Sequence, residues 1–222
     1  MPAVSTITAP RLVRAEILDR LPQDSPEARA SRGDLRTINR LLGSRAWFER
    51  ALRERRRAGE GVLEAGAGTG ELGRALGAIA PDIAGLDLCR RPAGWPQGGR
   101  WFQTDVLEFA EWAGFPVVIG SLFFHHFDGG QLGRIGAELS RHARLIIASE
   151  PLRARRTGRL FSLLCLLIRA HPVTRHDGAA SIAAGFRQGE LPQLLRLDPA
   201  EWSWGERETG LGACRLVAER RP

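Results

Sequence analysis

The sequence predicts an α/β fold organised on a mostly parallel sheet, and two observations predict it. From Gly61 to Ser149, short apolar runs alternate with helix-period stretches, the order in which crossovers join parallel strands. At the head of that alternation, Val62 and Leu63 run into a turn containing Gly66, Gly68 and Gly70, and Leu72 resumes a helical pattern. A buried strand, a glycine turn and a helix in that order bring the backbone close to whatever the turn holds.

Taken in order, residues 1–58 read as a helical arm or lid. Prolines at 2, 10, 22 and 26 break its start, and the best helical piece is Arg11–Leu21, where Leu12, Ile17, Leu18 and Leu21 share a face. Asp34 is placed to cap a helix from Leu35, with Ile38, Leu41, Leu42, Trp47, Phe48 and Leu52 at helical spacing. The run Arg53–Arg57 and then Gly59 end it, as cations suit a helix C-terminus. Residues 59–222 form the core. Its elements are strand 61–65, helix 70–80, strands 83–87 and 100–104, helix 107–113, strand 116–120, helix 129–141 and strand 143–149. Between Cys89 and Gly99 lie two prolines and three glycines counting Gly99, so the crossover there is expected as a loop. An insertion, 152–187, follows the fifth strand. Leu152–Arg169 reads as a helix, basic first and then strongly apolar, and Ala170–Ser181 as a polar loop. A lid is favoured, facing substrate or a membrane surface, because insertions there lie beside the carboxyl end of the sheet; an ordinary core or surface element is the alternative.

Composition excludes several classes. The chain has 222 residues, 43% hydrophobic, with a net charge of +7 from 32 basic residues, all of them Arg, and 25 acidic ones. The arginines are spread, and no basic segment is interleaved with stacking aromatics, so the bias is read as compositional and no nucleic-acid partner is expected. Cys89, Cys165 and Cys214 lack metal or redox spacing and leave one unpaired in any disulfide scheme. A reducing, cytoplasmic location and no metal site follow. No secretory signal is seen, and Leu160–Ile168 is about half of a bilayer span.

The glycine turn does not suit a dinucleotide. The third glycine of a G-x-G-x-x-G fingerprint would fall at Glu71, and the Glu64 carboxylate would repel a pyrophosphate while favouring a ligand with positive charge. Glu64 with Gly66, Gly68 and Gly70 resembles motif I of the class I S-adenosylmethionine-dependent methyltransferases. Asp87, 23 positions beyond Glu64, stands where the family has the acid that meets the ribose hydroxyls. Thr104–Val106 is similar to the third-strand end, where Asp105 would face the adenine, and Phe115–Phe127 to the fourth-strand motif. The resemblance covers roughly residues 35–222. It implies a Rossmann-like sheet of seven strands with an antiparallel last strand, in which Gln188–Leu195 is the last crossover helix and Trp202–Arg207 and Cys214–Glu219 the closing pair. It implies S-adenosyl-L-methionine as cofactor, held by Glu64, Ala65, Gly66, Gly68, Gly70, Asp87, Leu88, Asp105, Val106 and Ser121. Because a helix pair packs over the cofactor in this family, Arg36 and Asn39 are further candidate contacts.

Methyl transfer from a sulfonium needs an in-line acceptor and a dry site more than it needs catalytic side chains. A phenolic acceptor adds the loss of one proton, for which a His or carboxylate suffices. The candidates are His125, His126, His176 and Asp177, with Arg175 favouring an anionic phenol. His125 and His126 follow the fourth strand. Asp177 either orients His176 or caps a helix. The segment Gly120–Phe127 lacks the Asn/Asp-Pro-Pro-Tyr pattern of base and glutamine methylases. The histidine pair together with Thr174–Gly178 is similar to bacterial small-molecule methyltransferases that accompany aromatic polyketide synthases, which implies a phenolic or lipid-like substrate in secondary metabolism. Methylation of carbon, nitrogen or RNA, a non-catalytic interaction subunit, and any oligomeric state stay open.

Overall fold

A computed structural model describes residues 10–222; the first nine residues of the expected arm lie outside them. Seven strands form one sheet, β1 (Val62–Ala65), β2 (Ala84–Asp87), β3 (Trp101–Gln103), β4 (Val117–Ser121), β5 (Leu145–Pro151), β6 (Trp202–Glu208) and β7 (Ala213–Arg220). Their order is β3-β2-β1-β4-β5-β7-β6. β7 runs antiparallel to both β5 and β6, and the β1–β5 pairings are parallel. The sheet matches the expectation strand for strand.

Alternation along the strands divides the core between the two faces. Val117, Ile119, Leu145 and Ile147 join Phe48, Leu52 and Leu76 on one face, while Val118, Ile146 and Ala148 join Leu132, Ile135 and Leu139 on the other. The helices α2 (Ser44–Arg55) and α3 (Glu71–Leu76) thus cover the first face, and α4 (Gly129–His142) the second. The loop between β2 and β3 is helix-free as expected. In place of a helix it presents the buried ring of Trp95. Gly70, Gly73, Gly85 and Gly99 all lie against that ring, and a Cβ on any of them would come within 3.0 Å of it.

Four local expectations are corrected. Arg11–Leu21 is not a helix: only a 3-10 turn forms, at Leu18–Arg20. Leu12 and Ile17 remain exposed, so no buried apolar face offsets the ordering of a short helix. The helix expected from Leu35 begins earlier, as α1 (Pro26–Leu41), with the Ser25 side chain accepting from the Ala28 amide and Pro26 at the first turn. Gly43, at φ 63°, then separates it from α2. Asp34 lies mid-helix and accepts from the His171 amide and the Thr174 hydroxyl. The helix expected at 107–113 is a turn and a 3-10 segment, Trp112–Gly114, where Phe109 and Trp112 pack edge to face. Finally, the polar loop 170–181 is largely a helix. After α5 (Arg155–Leu167), α6 spans Pro172–Ala184, capped by His171 Nδ1 and opened by Pro172. Val173, Asp177, Ala180 and Ala184 are its buried stripe, at helical spacings of four and three.

Candidate functional site

The site lies at the carboxyl edge of the sheet, where ligands bind in open α/β folds. Its first wall is the turn after β1. Gly66, Gly68 and Gly70 have φ of 70°, 53° and 72°, a region open to glycine at little cost. The Gly66 and Ala67 amides donate to the Leu86 carbonyl. Asp87, at the end of β2, accepts from the Gly68 amide at 2.7 Å and from the Cys89 amide at 2.8 Å. One carboxylate thereby joins the glycine turn to the second strand. A Cβ on Gly68 would meet nothing within 4 Å, so space lies open above the turn.

Below the turn, Glu64 is buried among apolar residues and one carboxylate oxygen, Oε2, has no hydrogen-bond partner. Burial pushes its pKa up to about 8, and the nearby Asp87 charge adds to this, against the opposing Gly73 amide. Such a group answers to a positive charge brought near it. Of the other residues the resemblance assigns to a cofactor, Ala65 and Val106 are buried, Ser121 and Asp105 are half-buried and Leu88 is exposed. Asp105 accepts from the Leu107 amide at 2.9 Å. Arg36 pairs with Glu71 at 3.5 Å, and Asn39 Oδ1 is buried without a partner. Both sit on α1, which therefore reaches the first turn of α3.

The second wall is the turn after β4, and it touches the first. The Phe123 ring lies so close to Gly66 that a Cβ there would fall 2.3 Å from it. Glu150, fully buried near the end of β5, accepts from the amides of Phe123, Phe124 and His125. It also bonds His125 Nδ1 at 2.8 Å. His125 Nε2 faces the Glu16 carboxylate at 3.5 Å, and Glu16 bonds the Ser181 hydroxyl. Burial alone would depress the His125 pKa, but the bonds to Glu150 and Glu16 and their charges outweigh it and raise it to about 9. His125 is thus an imidazolium held between two carboxylates. The adjacent His126 ring lies 4.2 Å from it, tilted by 34°. Burial and the His125 charge lower the His126 pKa, against the weaker pull of Glu16 and Asp19. One histidine is charged and locked; its neighbour is neutral and partly exposed.

An N-terminal strap, residues 10–20, closes over this turn. Arg11 donates to the carbonyls of Phe124, His125, Phe127 and Ala184. Asp177 is buried on α6 and accepts from the Ile17 and Leu18 amides, both at 2.8 Å, so it holds the strap. His176 Nδ1 lies 2.8 Å from Asp177 Oδ1, with its side chain 56% exposed. Arg175 is exposed on the same helix. The structure therefore brings His125 and His126 together with Glu150, Glu16 and Asp19, and places His176 and Arg175 on the outer surface of α6. Sequence reasoning missed Glu150, Glu16 and Arg11. Glu150 had a signal, an acid inside an otherwise apolar buried strand; the other two sit in a segment without regular structure and had none.

No family model and no curated protein matches the sequence. Solved structures do match, and they show a Rossmann-like methyltransferase fold. The plantazolicin methyltransferase BpumL in complex with SAH aligns over 90% of this chain and 92% of its own, at 12% identity and a TM-score of 0.67. A structure from work on conversion of a disulfide bond into a thioacetal group during echinomycin biosynthesis aligns over 78% and 80%, at 22% identity and a TM-score of 0.56. A putative O-methyltransferase from Nostoc punctiforme aligns over 81% of this chain and 56% of its own, at 13% identity and a TM-score of 0.54.

Proposed function

We propose that this protein is an S-adenosylmethionine-dependent methyltransferase acting on a small molecule, with a hydroxyl of the phenolic, polyketide type as acceptor. The observation that carries the reading is the contact of Gly66 with Phe123, which makes the glycine turn and the histidine turn two walls of one site. Structural neighbours carrying SAH support the cofactor, and so do two features of the chain itself. The space over Gly68 is open, and Glu64 Oε2 and Asn39 Oδ1 are buried without a hydrogen-bond partner.

In this reading, Ala65, Gly66, Gly68 and Gly70 give the backbone surface on which the cofactor rests. Glu64 answers its positive charge from below, Asp87 and Leu88 take the ribose side, Asp105 and Val106 the adenine side, and Ser121 the edge of β4. The cofactor supplies an electrophilic methyl group whose departure leaves the electron pair on sulfur. The chain's own work is positioning and one proton. His126, neutral at pH 7, takes the hydroxyl proton as the acceptor oxygen forms its bond to carbon. His125, fixed by Glu150, holds the turn in register and keeps its neighbour neutral by charge. Asp177 fixes the strap that excludes water, with His176 and Arg175 outside it.

The test is transfer of a labelled methyl group from S-adenosylmethionine to a panel of simple phenols, with His126→Gln alongside. Turnover with a phenol, reduced about a hundredfold or more in the variant at unchanged cofactor affinity, supports the reading. Turnover only with amines or thiols refutes the acceptor, and full activity of the variant refutes the base.

A further inference from the structure

Helix α5 presents an apolar face that nothing among the described residues covers. It buries Thr157 and Cys165, while Leu160, Leu163, Leu166 and Leu167 are 44, 54, 67 and 71% exposed. Spacings of three and four set these leucines on one stripe. The stripe borders a groove of about 450 Å³ between α5 and α6, lined by Phe161, Cys165, Leu166, Arg175, Ala179 and Ile182.

Within the segment that carries the stripe, the charge is of one sign. Residues 151–176 contain six arginines, at 153, 155, 156, 159, 169 and 175, and no Asp or Glu, so all 25 acidic residues of the chain lie elsewhere. Arg153 pairs with Glu190 and Arg156 with Glu208. Arg155, Arg159, Arg169 and Arg175 are exposed and make no ion pair among the described residues. Leucines flanked by unpaired cations are what a helix lying in a lipid interface requires: side chains for the acyl boundary and charges for the phosphates. No helix of the described residues is long and apolar enough to cross a membrane, so this one would lie on the surface. A second copy is the poorer occupant, because a symmetric contact on this face would bring two arginine sets together.

We propose that the exposed face of α5 docks this protein on anionic phospholipid membranes, with Leu160, Leu163, Leu166 and Leu167 entering the interface and Arg155, Arg159 and Arg169 engaging lipid phosphates. The full chain is mixed with vesicles of phosphatidylcholine alone or with phosphatidylglycerol added, and pelleted. Binding is expected to the anionic vesicles only and to weaken with salt. Leu163→Gln with Leu167→Gln should abolish it. Arg155→Glu with Arg159→Glu should weaken it by about twenty-five-fold or more, since each arginine near such a surface is worth about fivefold. Arg53→Glu with Arg57→Glu, the same charge change on exposed sites at the end of α2, should bind like the wild type. All these side chains are exposed, so unchanged circular dichroism and Tm confirm folding, and the two α5 variants test the face independently. The proposal is overturned if the wild type ignores anionic vesicles at millimolar lipid, or if the α2 variant loses as much as the α5 arginine variant. It is also overturned if the wild type is a dimer that the leucine variant converts to monomer without any vesicle binding by either.

Discussion

Gly66 and Gly68 look alike in sequence, two positions apart in one turn, yet they answer to different constraints. At Gly66 a Cβ would fall 2.3 Å from the Phe123 ring, whereas at Gly68 it would meet nothing within 4 Å. Gly68→Val therefore enters only the space assigned to the cofactor and costs about 1–2 kcal/mol for a left-handed backbone, a fall of roughly 2–8 °C in Tm. Cofactor binding should be lost while the fold remains. Gly66→Ala should lower Tm further, because it drives the two walls apart. Calorimetry with circular dichroism on both variants checks this, and retained affinity in folded Gly68→Val counts against the site. Asp87→Ala should weaken the cofactor by about 1–3 kcal/mol in dissociation constant, the cost of unpaired buried polar groups. Part of that loss comes from the turn itself, since Asp87 also holds the Gly68 amide.

At the scale of elements, Trp95 does the work of a missing helix. It plugs the first face of the sheet where β2 crosses to β3, and four glycines lie against it. Trp95→Ala should cost about 3–5 kcal/mol, as for other buried aromatic truncations, lower Tm, and loosen the glycine turn through Gly70. A change of less than 1 kcal/mol, measured by denaturant unfolding, would mean that the loop is not packed as described. The loop was legible because two prolines and three glycines exclude a helix, but its plug was not: a lone Trp among turn residues carries no period. The parallel strands were legible because they are short apolar runs between turns, whereas the closing pair, whose β6 reads Trp-Ser-Trp-Gly-Glu-Arg-Glu and is mostly exposed, was legible only through the family resemblance. What misled was local polarity. Arg175, His176 and Asp177 read as a catalytic loop, yet Val173, Asp177, Ala180 and Ala184 carried the period of a helix, and Asp177 is its buried polar member. The strap pattern failed in the opposite way, as Leu12, Ile17, Leu18 and Leu21 show helical spacing without a surface to bury against.

Across the whole molecule, two buried groups tie stability to pH, and their signs agree. Glu64 is raised from 4.5 to about 8. The folded state keeps its proton where the unfolded state has lost it, so Glu64 costs nothing below pH 4.5, and the cost grows until pH 8 and stays constant above. His125 is raised from 6.5 to about 9. Its contribution is complete below pH 6.5 and is lost as pH rises through 9. Tm should therefore fall steadily from pH 5 to 9 in the ligand-free protein. Glu64→Gln should flatten the lower part of that slope, and a slope unchanged in this variant would show that Glu64 titrates normally. A cationic cofactor above Glu64 should itself favour the carboxylate, so binding near pH 7 should release protons.

Calorimetric titration of the purified chain with S-adenosylmethionine and its demethylated product, in buffers of different ionisation enthalpy, reads cofactor binding and the proton linked to it in one experiment. Micromolar affinity, on the order of 8 kcal/mol, is expected, with one site per chain and a proton release that disappears in Glu64→Gln. No heat and no rise in Tm at millimolar concentrations of either compound would contradict the cofactor assignment.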